Sequence, residues 1–263
     1  MATSKRRNRK KKAATAVNIT IIQVLIACVV PIIAGILLQT LAAGEFRLQP
    51  GNNAPMMAGI GLGSWVLGLR WFGITGLGLR GRRPLFSSIG FATLGWIVLF
   101  AVRFFFISLD PGGMNPSGAG RIFLYMLLFE GFAIQLWAFG LLFRVFTEWR
   151  GGLPAVFGSG AMFGLAAFAL FHEGALGSDF FALVYFIAWG ALYGIIRLRT
   201  GSILGSVLIQ ALHSFTVWEV LAAPNPLPAA DVANLPQLFI VAAVGYAIII
   251  WRLWPKELDD YRI

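Results

Sequence analysis

Few side chains in this 263-residue chain are suited to chemistry, and those few lie in apolar surroundings. The two histidines are His172, in AAFALFHEG, and His213, in GSVLIQALHSF. A hydrolytic zinc centre needs three or four N, O or S ligands within tetrahedral reach. The metal then lowers the pKa of a bound water, and a carboxylate serves as base. His172 and His213 are therefore the candidate metal ligands, with Glu130 and Glu148 as the nearby carboxylates. Neither acid belongs to a recognisable spaced pair. Gln210, three residues before His213, and Ser214, one after it, make a small polar stripe that must face protein or a cavity.

An ionisable residue inside an apolar helix is a functional hypothesis by default. Glu130 is expected at roughly 13 Å depth and Arg103 at roughly 9 Å, at 1.5 Å per residue from the outer ends of their spans. The two spans are consecutive and antiparallel, so the simplest expectation is a Glu130–Arg103 ion pair that hides both charges from lipid. Glu130, His213 and Ser214 are otherwise candidate residues of an intramembrane cavity.

These residues are carried by long apolar segments. The chain is 58% hydrophobic and 12% charged, against roughly a quarter charged in soluble domains. Lipid offers no partner to free backbone N–H and C=O groups, and stretches of this length without strand-like alternation favour helices over a barrel. Spans are predicted at 17–43, 55–77, 86–108, 122–143, 154–172, 179–196, 202–222 and 237–254, separated by Gly-, Pro- or charge-containing connections. The expected class is an all-α polytopic membrane protein with about eight transmembrane helices. With both termini cytoplasmic, 18 of the 21 basic residues fall on the cytoplasmic side, as the positive-inside rule requires. Trp71, Trp137, Trp149, Trp251 and Trp254 fall near the cytoplasmic ends of spans and are expected to anchor at the interface.

The predicted organisation is a basic cytoplasmic tail over 1–16, one helical membrane domain over 17–254, and a short cytoplasmic tail over 255–263. The first apolar run is too long for a secretory h-region and is expected to stay as an anchor helix. Seven basic residues of MATSKRRNRKKK adjoin that span. They suit a topology signal and attraction to anionic lipid headgroups, at about 1 kcal/mol per Lys or Arg, rather than nucleic-acid binding. The single Cys28 forms no intrachain disulfide. The 31 glycines suit close helix packing in lipid, where small residues let backbones approach.

From about 139 to 215 the chain resembles the CPBP family of intramembrane metalloproteases, which contains the CAAX prenyl proteases and bacteriocin-related membrane proteins. LRTGSILGSVLIQALHSF at 198–215 is similar to the family's Y-x-R-T-G-S-L-W-P-A-I-x-x-H-A-x-x-N segment, and FALFH at 168–172 to its F-x-x-x-H motif. Arg144 in LLFR falls where the arginine of the family's E-E-x-x-x-R motif falls. The resemblance implies a CAAX-protease-like bundle and points to Arg144, Glu148, His172 and Gln210 as the positions of its chemistry. In this register the paired glutamates that supply the family's base fall on Phe139 and Gly140. The second histidine falls on Gln210, and the polar residue four positions later on Ser214. A second register, in which Glu148 and Arg150 of TEWRGG represent the motif, keeps one acid but changes the spacing.

Two readings follow. In the first, the chain keeps the scaffold without catalysis or cofactor and binds a lipid, a lipidated peptide or a partner membrane protein. In the second, it is an active intramembrane zinc endopeptidase, with His172 and His213 as ligands and Glu148 or Glu130 as the acid, cleaving a membrane-associated or prenylated peptide.

Overall fold

The computed structural model describes residues 19–46, 53–109, 116–171, 180–221, 223–224, 227–257 and 261–262. Eight helical segments follow in order: α1 Ile21–Phe46, α2 Ala54–Gly76, α3 Arg83–Phe106, a composite α4, α5 Gly152–Phe171, α6 Phe180–Thr200, α7 Leu204–Phe215 and α8 Ala229–Leu253. Helix α4 comprises Pro116–Tyr125, π-helical Met126–Ala133, π-helical Leu136–Leu142 and Phe143–Arg150. No strand occurs among the described residues. Seven helices are long and apolar enough to cross a membrane. The exception is α7, whose 12 residues are extended only by a π-helical turn, Thr216–Val220. Apolar side chains such as Leu41, Val66, Phe86 and Phe105 face outward, each more than 60% exposed. Such a surface is stable against lipid tails and not against water, so the chain is an all-α, multi-pass integral membrane protein.

Helices α4 and α6 are the central pair, with 72% of the apolar window of each buried inside the protein. Helix α7 inserts between α3 and α4, touching both, and α3 also packs on α6 and α8. This insertion positions the functional residues.

The closest crossing joins α5 to α6. Gly160 of α5 faces Gly190 of α6, while Gly164 meets the backbone of Ile187 and Gly194 that of Val156, so each helix brings one G-x-x-x-G pattern to the crossing. A Cβ on Gly190 would lie 2.1 Å from the Gly160 carbonyl oxygen. The backbones meet without side chains between them.

Local chemistry explains where the elements begin and how they bend. Thr20 and Gln23 form a reciprocal capping box: the Thr20 N–H donates to Gln23 Oε1 at 2.9 Å and the Gln23 N–H to Thr20 Oγ1 at 3.4 Å. Pro31 lies inside α1 and has no N–H for the carbonyl four residues earlier, Ala27. The indole N–H of Trp137 on α4 donates to that carbonyl at 3.3 Å. Trp137 is therefore 1% exposed and is not an interfacial anchor, which corrects the sequence expectation. An unsatisfied carbonyl in α1 draws the indole inward. Trp251, 71% exposed, does face outward as an anchor would.

Helix α8 starts at Ala229, eight residues before the predicted 237, and Pro236 lies within it. Its polar first turns are held by the end of α3. The Ser108 N–H donates to Asp231 Oδ2 at 2.9 Å, and Asn234 Nδ2 donates to the Phe106 carbonyl at 3.2 Å. Those bonds satisfy backbone groups that the terminus of α3 leaves over.

Candidate functional site

The site is built around α4. Its two π-helical stretches flank Ile134 and Gln135, and such wide turns are frequent at functional positions. Two carbonyls of these stretches accept hydrogen bonds from other helices: Gln210 Nε2 donates to Glu130 O at 2.9 Å, and Arg197 Nε to Phe139 O at 3.2 Å. Gln135 Nε2 in turn donates to Gln210 Oε1 at 2.7 Å. Both glutamines are fully buried. The polar stripe of α7 thus faces α4, with Ser214 set against the Glu130 side chain. Replacing Gln210 by Leu strands the Gln135 amide and the Glu130 carbonyl. An unsatisfied buried polar group costs about 1–3 kcal/mol, so the expected loss in a denaturation experiment is about 2 kcal/mol or more.

Glu130 and Arg103 do not form the expected ion pair, because α7 stands between their helices. Glu130 turns to Ser214, and its Oε2 has no hydrogen-bond partner among the described residues. Arg103 is on α3, which packs on α7. There it lines a cleft with His213, Thr216, Trp96 and Leu109. The free volume of that cleft is about 10 Å³, at the lower limit for one water molecule.

His213 packs its ring on Trp189, with centroids 4.8 Å apart, and neither ring nitrogen has a hydrogen-bond partner among the described residues. His213 faces this cleft, and Glu130 meets α7 at Ser214, about 100° further round the helix. His172 lies outside the described residues, as does any distance from it to His213. Arg144 and Glu148 form an i,i+4 ion pair on the last turns of α4, so the carboxylate of the second register is occupied.

At the positions where the sequence resemblance places the paired glutamates, the structure has an aromatic core. Phe139 is completely buried, with its ring 5.4 Å from Phe163 and 5.9 Å from Tyr193. Phe163 stacks edge-on against Trp189 at 5.4 Å, and Trp189 touches His213. The aromatic run extends from α4 through α5 and α6 to α7. Gly140 faces the chain leading into α3, where an added Cβ would meet the Leu77 carbonyl at 3.2 Å.

A zinc ion does not fit these positions. Phe139 and Gly140 have no donor atom in their side chains, and the Gln210 amide is engaged at both ends. No three His, Cys, Asp or Glu residues among the described ones lie close enough to hold a metal.

Sequence reasoning missed Gln135 and Arg197. Gln135 carries a signal, as an amide in the middle of an apolar helix. Arg197 is one of the 18 basic residues assigned to the cytoplasmic side, and it is 1% exposed.

Fold and site together define a polytopic helical membrane protein with a polar cluster between its fourth and seventh helices. Residues 116–216 match the family model described as type II CAAX prenyl endopeptidase Rce1-like. This stretch runs from the start of α4 to the end of α7, and the resemblance to the CPBP and CAAX protease family holds over it. No curated protein matches the chain.

Proposed function

We propose that the chain is a catalytically silent member of the CAAX-protease type, using the bundle to bind a lipid, a lipidated peptide or a partner membrane protein. One observation carries the proposal: the place of the general base is occupied by Phe139, buried in an aromatic core and unable to accept a proton. The engagement of Gln210 with Gln135 and Glu130 supports it, since an amide locked in this way is a poor substitute for an imidazole ligand. Both termini are assigned to the cytoplasm, on the distribution of basic residues between the two sides. The basic N-terminal segment then lies against anionic lipid headgroups.

The test is the metal content of detergent-purified protein, measured together with cleavage of a prenylated peptide. Substoichiometric zinc, unchanged by His172→Ala, and no cleavage are expected. Stoichiometric zinc that disappears in His172→Ala, with cleavage lost at the same time, would overturn the proposal in favour of a zinc endopeptidase using His172 and His213.

A further inference from the structure

The helix end at which α2 finishes is surrounded by arginines whose charges exceed those available to balance them. Arg197, at the last turn of α6, donates from Nη2 to the Gly76 carbonyl at 2.9 Å and from Nε to Phe139 O. Its guanidinium lies over the Phe143 ring at 5.4 Å. It also rests on Gly78, where an added Cβ would be 2.6 Å from Cζ. Arg80 donates from Nε to the neighbouring Thr75 carbonyl at 3.2 Å. Arg144 lies over the Phe72 ring, one turn earlier on α2, at 5.9 Å. Arg80 and Arg144 both act electrostatically on Arg197.

Among the described residues the charges do not close. Of the three guanidiniums, Arg144 is paired with a carboxylate, that of Glu148. The C-terminal dipole of α2 contributes the equivalent of roughly half a negative charge. Arg197 is 1% exposed, and its Nη1 makes no hydrogen bond among the described residues; the same holds for the buried Nε of Arg144. Buried charges are ordinarily paired, and free guanidinium N–H groups match phosphate oxygens in geometry and charge. Arg80 and Arg144 are only partly buried, which leaves an approach from the surface.

We propose that Arg80, Arg144 and Arg197 bind a phosphate group at the end of α2, supplied either by an anionic phospholipid headgroup or by a soluble phosphate ester. The site uses none of the residues at the family's catalytic positions except Arg144. It stands whether or not the bundle cleaves peptides.

The experiment measures phospholipid retained by the full-length protein after extraction from phosphatidylcholine vesicles with and without phosphatidylglycerol, using native mass spectrometry. A second arm adds inorganic pyrophosphate to protein from phosphatidylcholine alone and follows thermal stabilisation. Selective retention of phosphatidylglycerol identifies the lipid source, and stabilisation by pyrophosphate identifies the soluble one. Either supports the site if Arg80→Gln with Arg144→Gln weakens it roughly tenfold or more, as expected for loss of charge-assisted bonds. Arg252→Gln, an exposed basic residue on α8, should leave binding unchanged. The single Arg80→Gln variant keeps the test valid if the double variant does not fold. Binding in neither arm, or equal weakening by Arg252→Gln, overturns the proposal.

Discussion

Gly190→Leu should eliminate the folded bundle, while Gly90→Ala, on α3, should leave it intact or slightly firmer. At Gly190 the first added carbon already lies 2.1 Å from the Gly160 carbonyl oxygen, and the atoms it meets are backbone atoms of α5. A flexible side chain could rotate away; a helix backbone must translate. That translation would pull apart Gly164 from Ile187 and Gly194 from Val156, the other close approaches of the same crossing. Overpacking a core costs about 1–3 kcal/mol when side chains give way, and backbone displacement along a whole helix exceeds that range. Lipid does not compensate, because helix association in a bilayer depends on close contact rather than on exclusion of water. At Gly90 an added Cβ meets nothing within 4 Å, and Gly→Ala in a helix gains about 0.5–1 kcal/mol. The check is the yield of monodisperse protein in mild detergent and its unfolding midpoint. Equal yields for the two variants would mean that the α5–α6 crossing is not what holds the centre together.

The all-α membrane class was legible in the sequence because length and hydropathy of a span are local properties, and lipid allows little besides helices. The boundaries were less legible where tertiary contacts decide. The first turns of α8 look like a loop, with Asp231, Asn234 and Pro236, until the end of α3 supplies groups for the acid and the amide to bond. Trp137 has the look of an interfacial residue, and only the gap that Pro31 leaves at Ala27 shows why it goes inward. The ion pair between Glu130 and Arg103 failed for a topological reason. Sequence order makes α3 and α4 neighbours, whereas space gives the place between them to α7. The site was legible in part: the motifs around Arg144 and Gln210 lie on α4 and α7, which the structure packs together. What pattern reading could not supply was the use of Gln210, since its partners are a side chain and a carbonyl of π-helical backbone 75 and 80 residues away.

Phe139→Glu, which puts an acid where the resemblance places one, should destabilise the protein severely and confer no peptidase activity. The substitution removes a ring held between Phe163 and Tyr193 at complete burial; truncating such a phenylalanine costs about 3–5 kcal/mol through lost contacts and cavity formation. It also introduces a carboxyl group that must be desolvated, either ionised without a partner or protonated at the expense of its function. Arg197 bonds the Phe139 and Gly76 carbonyls through Nε and Nη2, so it can answer the new charge only through Nη1 or by giving up one of those bonds. Phe139→Leu isolates the packing contribution and should cost less than Phe139→Glu, about 1.5 kcal/mol if the neighbours close in. The informative variant is Phe139→Glu combined with Gln210→His. If the site is simply lacking its functional groups, restoring an acid and an imidazole should recover zinc binding. If the aromatic run from Phe139 to Trp189 has taken over the space, the double variant should unfold at lower temperature than either parent and bind no zinc. Unfolding midpoints and zinc content of the purified variants separate these outcomes. A stable, zinc-loaded double variant would show a cavity still able to take an acid and an imidazole, and the filled core would then not support the proposed silence.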